Sequence, residues 1–395
     1  MLKYFIDMKR KIGLFFGSRS VEHEISIITA MQILSAIDKE KYEVIPIYIS
    51  KIGEFFTGDY LKDIKNFKNL SLIPKNTHKI IDLKLNSNNK LIFELESIFN
   101  KKLEIDVAFS TIHGTYGEDG KIQGVFEMLN IPYVGADVTS SALGMDKVLM
   151  KKIFKANNLP IVNYYWIKRN EWEKRKDFVV KTVEEKIKYP MFIKPANLGS
   201  SIGITKAYDR ESLIQGVEIA KYYDRKIIFE ESIENLKEIN CSVLGNDEPI
   251  ASVCEEVKSN KAFLDYESKY KIRPDKEQII KKFGHIIPAK ISEDKSKEIQ
   301  ELAIKAFKAI DCKGIARIDF LMDNNSEKIY VNEINTMPGA ISFYLWEASG
   351  IPFTNLIDNL INLAIEIYED KNKNITSIDT DVLLEDLRGF KGINI

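Results

Sequence analysis

Residues 316–339 read ARIDFLMDNNSEKIYVNEINTMPG, and they decide how the rest of the chain is understood. Ala316 to Met322 and Lys328 to Ile334 alternate apolar and polar side chains with period two, the mark of half-buried strands. Asp-Asn-Asn-Ser between them has the composition of a hairpin turn. Arg317 and Asp319 stand at i, i+2, as do Glu333 and Asn335, so each pair projects to one face of its strand. Paired strands would therefore gather a guanidinium, two carboxylates and an amide in one patch. Oxygen donors of this kind suit magnesium alongside nucleotide phosphates, although a solvated face with a salt bridge has the same spelling. Thr336-Met-Pro-Gly339 follows directly, and glycine can bring its backbone N–H close to a ligand, or simply end the strand.

Upstream, Tyr189 to Lys194 reads as a strand and delivers Lys194 into Pro-Ala-Asn-Leu-Gly-Ser-Ser-Ile-Gly203. A lysine feeding a loop of small residues can close N–H groups and hydroxyls over phosphate oxygens. It is not the Gly-x-x-x-x-Gly-Lys-Ser/Thr loop, and taken alone it is equally a tight turn with a surface lysine. Further strands are expected at Ile227 to Glu231 and Ile239 to Leu244, and an amphipathic helix at Ser296 to Ile310. From Ser140 to Asn158 a single helical pattern runs until Leu159-Pro160.

At the N-terminal end, Lys11 to Phe16, Tyr42 to Ile49 and Asp106 to Thr111 are apolar strand runs, with helical spacing from Glu24 to Ile37. Strands alternating with a helix predict a parallel α/β sheet. His113-Gly-Thr-Tyr-Gly-Glu-Asp-Gly120 follows the third run, where ligands collect beyond the carboxyl ends of parallel strands. His113 and His23 are each as readily structural as functional, and Glu22 could cap a helix or hold an ammonium. The Asn/Lys-rich stretch 57–100 reads as an insertion or hairpin without chemistry.

The 395 residues carry 57 Lys+Arg against 58 Asp+Glu, so no global field draws the chain to nucleic acid or to an acidic membrane surface. Three scattered cysteines form neither a disulfide framework nor a thiolate zinc site and fit a reducing cytoplasm. No apolar run reaches the ~20 residues a membrane span needs, and residues 1–7 read as a dispensable extension. The organisation expected is an N-terminal α/β domain at 9–140, a central unit at 141–226, a C-terminal unit at 227–370 and a polar tail at 371–395.

Eight strings occur in a telling order: SVEHEIS (20–26), HGTYGEDGKIQG (113–124), IPYVG (131–135), MDK (145–147), KPANLGSSIG (194–203), DYESKY (265–270), ARIDF (316–320) and NEINTMPG (332–339). Together they resemble the D-alanine:D-alanine ligases of the ATP-grasp superfamily, from about Lys9 to Phe353. The resemblance implies an ATP-grasp fold, α/β and α+β, behind a parallel α/β N-terminal domain. It implies that Lys147 and Lys194 contact ATP phosphates, that Glu230, Glu231 and Ile233 receive adenine, and that Glu238 holds the ribose. Asp319, Glu333 and Asn335 would ligate two magnesium ions, which manganese can replace.

Glu22 would take the first substrate's ammonium, with Ser200 and His113 nearby, and Arg317 with the Gly339 amide would face the oxyanion. Lys269 and Tyr270 would ride a closing loop, 258–275, and Tyr344 and Leu345 would meet the second substrate. The implied chemistry is phosphoryl transfer from ATP to one D-alanine, attack by a second, and release of ADP, phosphate and dipeptide in a cytoplasmic homodimer. Two departures stand out: Tyr344 occupies a position where the family usually has serine, and Glu231-Ser232 replace lysine and an aromatic. They leave a D-alanine:D-serine ligase as an alternative, and a non-catalytic nucleotide binder as a remoter one.

Overall fold

The computed structural model describes residues 9–85, 90–96, 102–257 and 285–378, and they build three sheets. The first has eight strands. Tyr42–Ile49, Arg10–Gly17, Val107–Ser110 and Tyr133–Val134 lie parallel in that spatial order. Buried Ile12, Leu14, Phe16, Val107 and Phe109 pack on helix His23–Ala36 through Ile27, Ala30 and Ile33. The expected parallel sheet is thus present, but it is half of a mixed one. Phe55–Thr57, His78–Leu85, Leu91–Leu95 and Lys102–Ile105 continue it antiparallel beyond Tyr42–Ile49. The described part of 57–100 thus contains an antiparallel strand pair, His78–Leu85 with Leu91–Leu95, as the hairpin alternative expects, and that pair is joined to the first sheet. The stretch's Lys and Asn residues mask an apolar set, Leu91, Phe93 and Leu95, that is buried against Phe15 and Phe126.

A second sheet of four antiparallel strands runs in the order Thr205–Ala207, Met191–Pro195, Lys226–Glu231, Tyr164–Lys168. Helices Arg169–Lys186 and Arg210–Tyr223 cover its outer face with Val179, Val183, Leu213 and Val217. The third sheet carries His285–Ile286, Ile250–Val257, Leu236–Gly245, Gly314–Asp323 and Ile329–Asn335, again antiparallel throughout. In Gly314–Asp323 the buried residues from Ile318 onward are every second one, so Ile318, Phe320 and Met322 face helix Glu293–Ala309, and Arg317 and Asp319 face the other way.

Helical spacing from 140 to 158 resolves into two helices, Val138–Met145 and Lys147–Ala156, broken at Asp146. The Asp146 carboxylate accepts from the N–H groups of Val148 and Leu149 at 3.0 and 3.1 Å, an N-cap that a periodicity count does not register. The break matters because it puts Lys147 on the first turn of a helix that meets both later sheets.

Candidate functional site

A cavity of about 480 Å³ is walled by strands of the second and third sheets and by the helix His23–Ala36 and the His113 loop that belong to the first. Its floor is the hairpin quoted first. Antiparallel register sets Asp319 opposite Glu333 and Arg317 opposite Asn335. The guanidinium of Arg317 donates to both Asp319 oxygens at 2.6 and 2.7 Å, and the Asn335 amide donates to Asp319 Oδ2 at 3.1 Å. Burial opposes the charge on Arg317, yet the Asp319 carboxylate beside it keeps the guanidinium firmly protonated. The patch inferred from i, i+2 spacing is one contiguous surface.

Above it, Lys147 Nζ lies 3.7 Å from Glu333 Oε2 and donates to the Leu198 carbonyl at 2.9 Å. Lys194 Nζ donates to Glu230 Oε2 at 2.5 Å. Burial pushes the Glu230 carboxyl upward, but Lys151 and Lys194 overcome it and hold the group at about 2. Burial likewise works against charge on Lys194, and Glu230 more than offsets it, so its pKa is raised. The loop after Lys194 turns through left-handed conformations at Ser200, Ser201 and Gly203, and its Leu198, Gly199, Ser200 and Ser201 line the cavity. Glu231, Ile233 and Glu238 complete this wall, with apolar Phe192, Met145 and Leu321 among them.

On the opposite side the Ser200 hydroxyl donates to Glu22 Oε1, joining the small-residue loop to the start of the first helix. Glu22 occupies the helix N-cap position and makes no capping bond with its side chain. Glycine at 114, with φ of 70°, leaves room for that carboxylate: a Cβ there would stand 2.4 Å from Glu22 Oε2, and the side chain would have to shift. His113 is buried, with Nε2 2.9 Å from Thr29 Oγ1 and Nδ1 3.1 Å from the Met337 carbonyl. It ties the Gly-rich loop to the turn before Gly339 and lines the cavity. His23 is different: its nitrogens meet the Ser18 carbonyl and the Tyr48 hydroxyl, and it is sealed in the first domain's core.

After Gly339, Ala340, Ile341 and Ser342 all adopt left-handed backbone, with φ of 52°, 46° and 51°. For a β-branched residue such as Ile341 this is a strained conformation, and strain of this kind collects at functional turns. Tyr344 lines the cavity and donates to Glu255 Oε2 at 3.3 Å, whereas Leu345 is fully buried and its side chain is not part of the wall. Lys269, Tyr270 and the expected closing loop lie outside the described residues.

Several wall residues were not singled out from sequence. Asn240 stands opposite Asp319 on the strand flanking the hairpin, and Glu255 lies behind it, bound by Asn240 at 3.0 Å and by His285 at 2.5 Å. One signal could have revealed Asn240: Glu238-Ile-Asn240 repeats the Glu333-Ile-Asn335 string two strands away. Glu255 and His285 have no such marker, since they are joined only by the pairing of Ile250–Val257 with His285–Ile286.

Among the described residues no cluster of three His, Cys, Asp or Glu side chains could hold a metal alone. Two carboxylates and an amide oxygen are nonetheless the hard, incomplete set that magnesium accepts when phosphates and water supply the remaining positions. The donors present fit that ion.

Comparison with known proteins agrees in both halves of the chain. The family models for the D-ala D-ala ligase N-terminus and C-terminus match residues 11–136 and 153–362. A D-alanine–D-alanine ligase of Thermosipho melanesiensis is 46% identical over 374 residues, covering 94% of this chain and 98% of that protein. One from Natranaerobius thermophilus is 42% identical over 379 residues, covering 93% and 98%. Among solved structures, the D-alanine–D-alanine ligase of Coxiella burnetii superposes with a TM-score of 0.78 at 32% identity, covering 92% of this chain and 96% of the other. The VanG D-Ala:D-Ser ligase of Enterococcus faecalis gives 0.75 at 32% identity, covering 90% and 100%.

Proposed function

This chain belongs to the D-alanine–D-alanine ligase family, and from that premise we propose how its cavity carries out the reaction. The protein is an ATP-dependent carboxylate–amine ligase that joins two D-alanines, through an acyl phosphate, into the dipeptide used for peptidoglycan. The observation that carries the assignment of roles is the convergence of Lys147, Lys194, Arg317, Asp319, Glu333 and Asn335 on one cavity that Glu22 and Ser200 also line.

A free carboxylate is a poor electrophile, so the first D-alanine needs a better leaving group before an amine can attack. Lys147 and Lys194 hold the triphosphate, and their charge offsets what gathers on the transferring phosphoryl group. Adenine sits against Glu230, Glu231 and Ile233, and Glu238 takes the ribose hydroxyls. Asp319, Glu333 and Asn335 would hold magnesium, or manganese in its place, which would supply positive charge against the phosphate oxygens. Glu22, kept in place by the Ser200 hydroxyl, anchors the first ammonium. Arg317 and the Gly339 N–H face the oxyanion that forms when the second amine attacks. A Cβ at Gly339 would meet nothing within 4 Å, so that side of the turn is open to a substrate. His113 fixes the Met337 carbonyl and with it the approach to Gly339.

Tyr344 supports a second reading, a D-alanine:D-serine ligase, because a phenol stands where the family has serine and VanG shares the fold. Phosphate release measured with ATP and D-alanine, then with D-serine or D-lactate added, separates the two. Release with D-alanine alone and a D-alanyl-D-alanine product supports the first; release that needs D-serine overturns it. We further assign the chain to the cytoplasm, as a homodimer with three units meeting near residues 140 and 226. Among the described residues no helix is long and apolar enough to cross a membrane.

A further inference from the structure

Lys151 is fully buried, lies on helix Lys147–Ala156 and takes no part in the cavity wall. A lysine taken out of water is unfavourable unless its ammonium is answered, and here two different sheets answer it. Its Nζ lies 3.1 Å from Glu230 Oε1, on the second sheet, and 3.3 Å from the carbonyl of Asn332, on the third. Asn332 is the extra residue of a β-bulge: Asp319 pairs with Glu333 and Phe320 with Val331, which leaves Asn332 out of the ladder. The bulge carbonyl thus faces Lys151 instead of a neighbouring strand. Glu230 presents its other oxygen to Lys194, whose ammonium faces the cavity.

We propose that Lys151 is a positioning residue for the nucleotide: it clamps the Glu230 carboxylate to the Asn332 bulge and so fixes the span between adenine wall and metal-binding strand. Both residues it joins line the cavity that ATP is proposed to fill, and Asn332 is directly beside Glu333. The ammonium touches neither ATP nor D-alanine; it acts through Glu230 and the bulge. Burial, which disfavours the charged lysine, is consistent with a group held by its partners rather than by water. This inference rests on the nucleotide placement given above.

The test compares full-length wild type, Lys151→Met, Glu230→Gln and the double variant. Each is assayed for kcat, for KM of ATP and of D-alanine, and for the rise in Tm caused by ATP. Methionine keeps the volume and removes the charge. Lys151→Met is expected to raise KM for ATP about tenfold while KM for D-alanine stays within about twofold. In the Glu230→Gln background the same change is expected to add little, since the carboxylate it aims is gone. A wild-type ATP KM in Lys151→Met overturns the proposal, as does an equal rise in both KM values or full additivity with Glu230→Gln.

Should Lys151→Met not fold, Lys151→Gln, which also removes the charge, takes its place under the same criterion. Failure of both to fold would show a lysine that holds the fold and nothing more. Wild type lacking D-alanine-dependent phosphate release would sink the ligase reading, while the ATP-induced Tm shift would still judge Lys151.

Discussion

Glu333 faces Asp319 across the late hairpin and lies 3.7 Å from Lys147, so it is the carboxylate best placed to join metal and transferring phosphate. Glu333→Gln is expected to lower ATP-dependent phosphate release by about 10³-fold while leaving Tm within a few degrees, because it removes a charge and keeps the shape. Release near the wild-type rate would take Glu333 out of the site. At Glu230 the relevant variable is pH. Two lysines hold its folded pKa at about 2 against an unfolded value of 4.5, so its stabilisation is fully present above pH 4.5 and is lost as pH falls from there towards 2. Denaturant unfolding of wild type and Glu230→Gln should therefore show a stability gap that narrows over that window; a gap that stays constant would contradict the lysine pairing. Both residues were legible from the sequence, Glu333 by its i, i+2 partner and Glu230 by family resemblance. Lys151, which neutralises part of Glu230, was not, because a helix pattern does not tell which of Lys151 and Lys152 turns inward.

Elements carry these side chains, and their ends set the geometry. The helix bearing Lys147 and Lys151 begins only because Asp146 caps it, and the same carboxylate is ion-paired with Lys226 on the second sheet. Asp146→Ala is expected to cost about 1–2 kcal/mol and to raise KM for ATP, since the first turn bearing Lys147 frays. Equilibrium unfolding with steady-state kinetics checks this, and an unchanged KM would separate the cap from nucleotide binding. The hairpin was readable because two strands and their turn each obey a local rule. The break at Asp146 was not, because apolar spacing passes smoothly from one helix to the next and only a side-chain bond to backbone marks the division. In the stretch 57–100 a hairpin was readable, but its place on the first sheet was not, for a related reason. Its polar residues dominate the composition, while Leu91, Phe93 and Leu95, which place it on the sheet, are few.

At the scale of the molecule the second and third sheets and the helix packed on the first close on one cavity, and no single one of them supplies a complete site. Glu22 comes from the start of the helix packed on the first sheet, Lys194 and Glu230 from the second sheet, Arg317, Asp319 and Glu333 from the third. Parallel strands at the N-terminus and the late hairpin were readable as separate pieces, but their meeting was legible only through the order of eight motifs, since no local rule encodes contacts such as Ser200 with Glu22. A ligand that bridges the sheets should stabilise the whole: ATP with magnesium at about 100 times its Kd is expected to add about 2.7 kcal/mol to unfolding stability. A Tm indifferent to nucleotide would contradict a cleft that binds it. The most direct measurement is the product itself. Purified protein given ATP, magnesium and D-alanine should form one D-alanyl-D-alanine for each phosphate released, and neither without D-alanine; phosphate released with no dipeptide, or no release at all, would contradict the ligase.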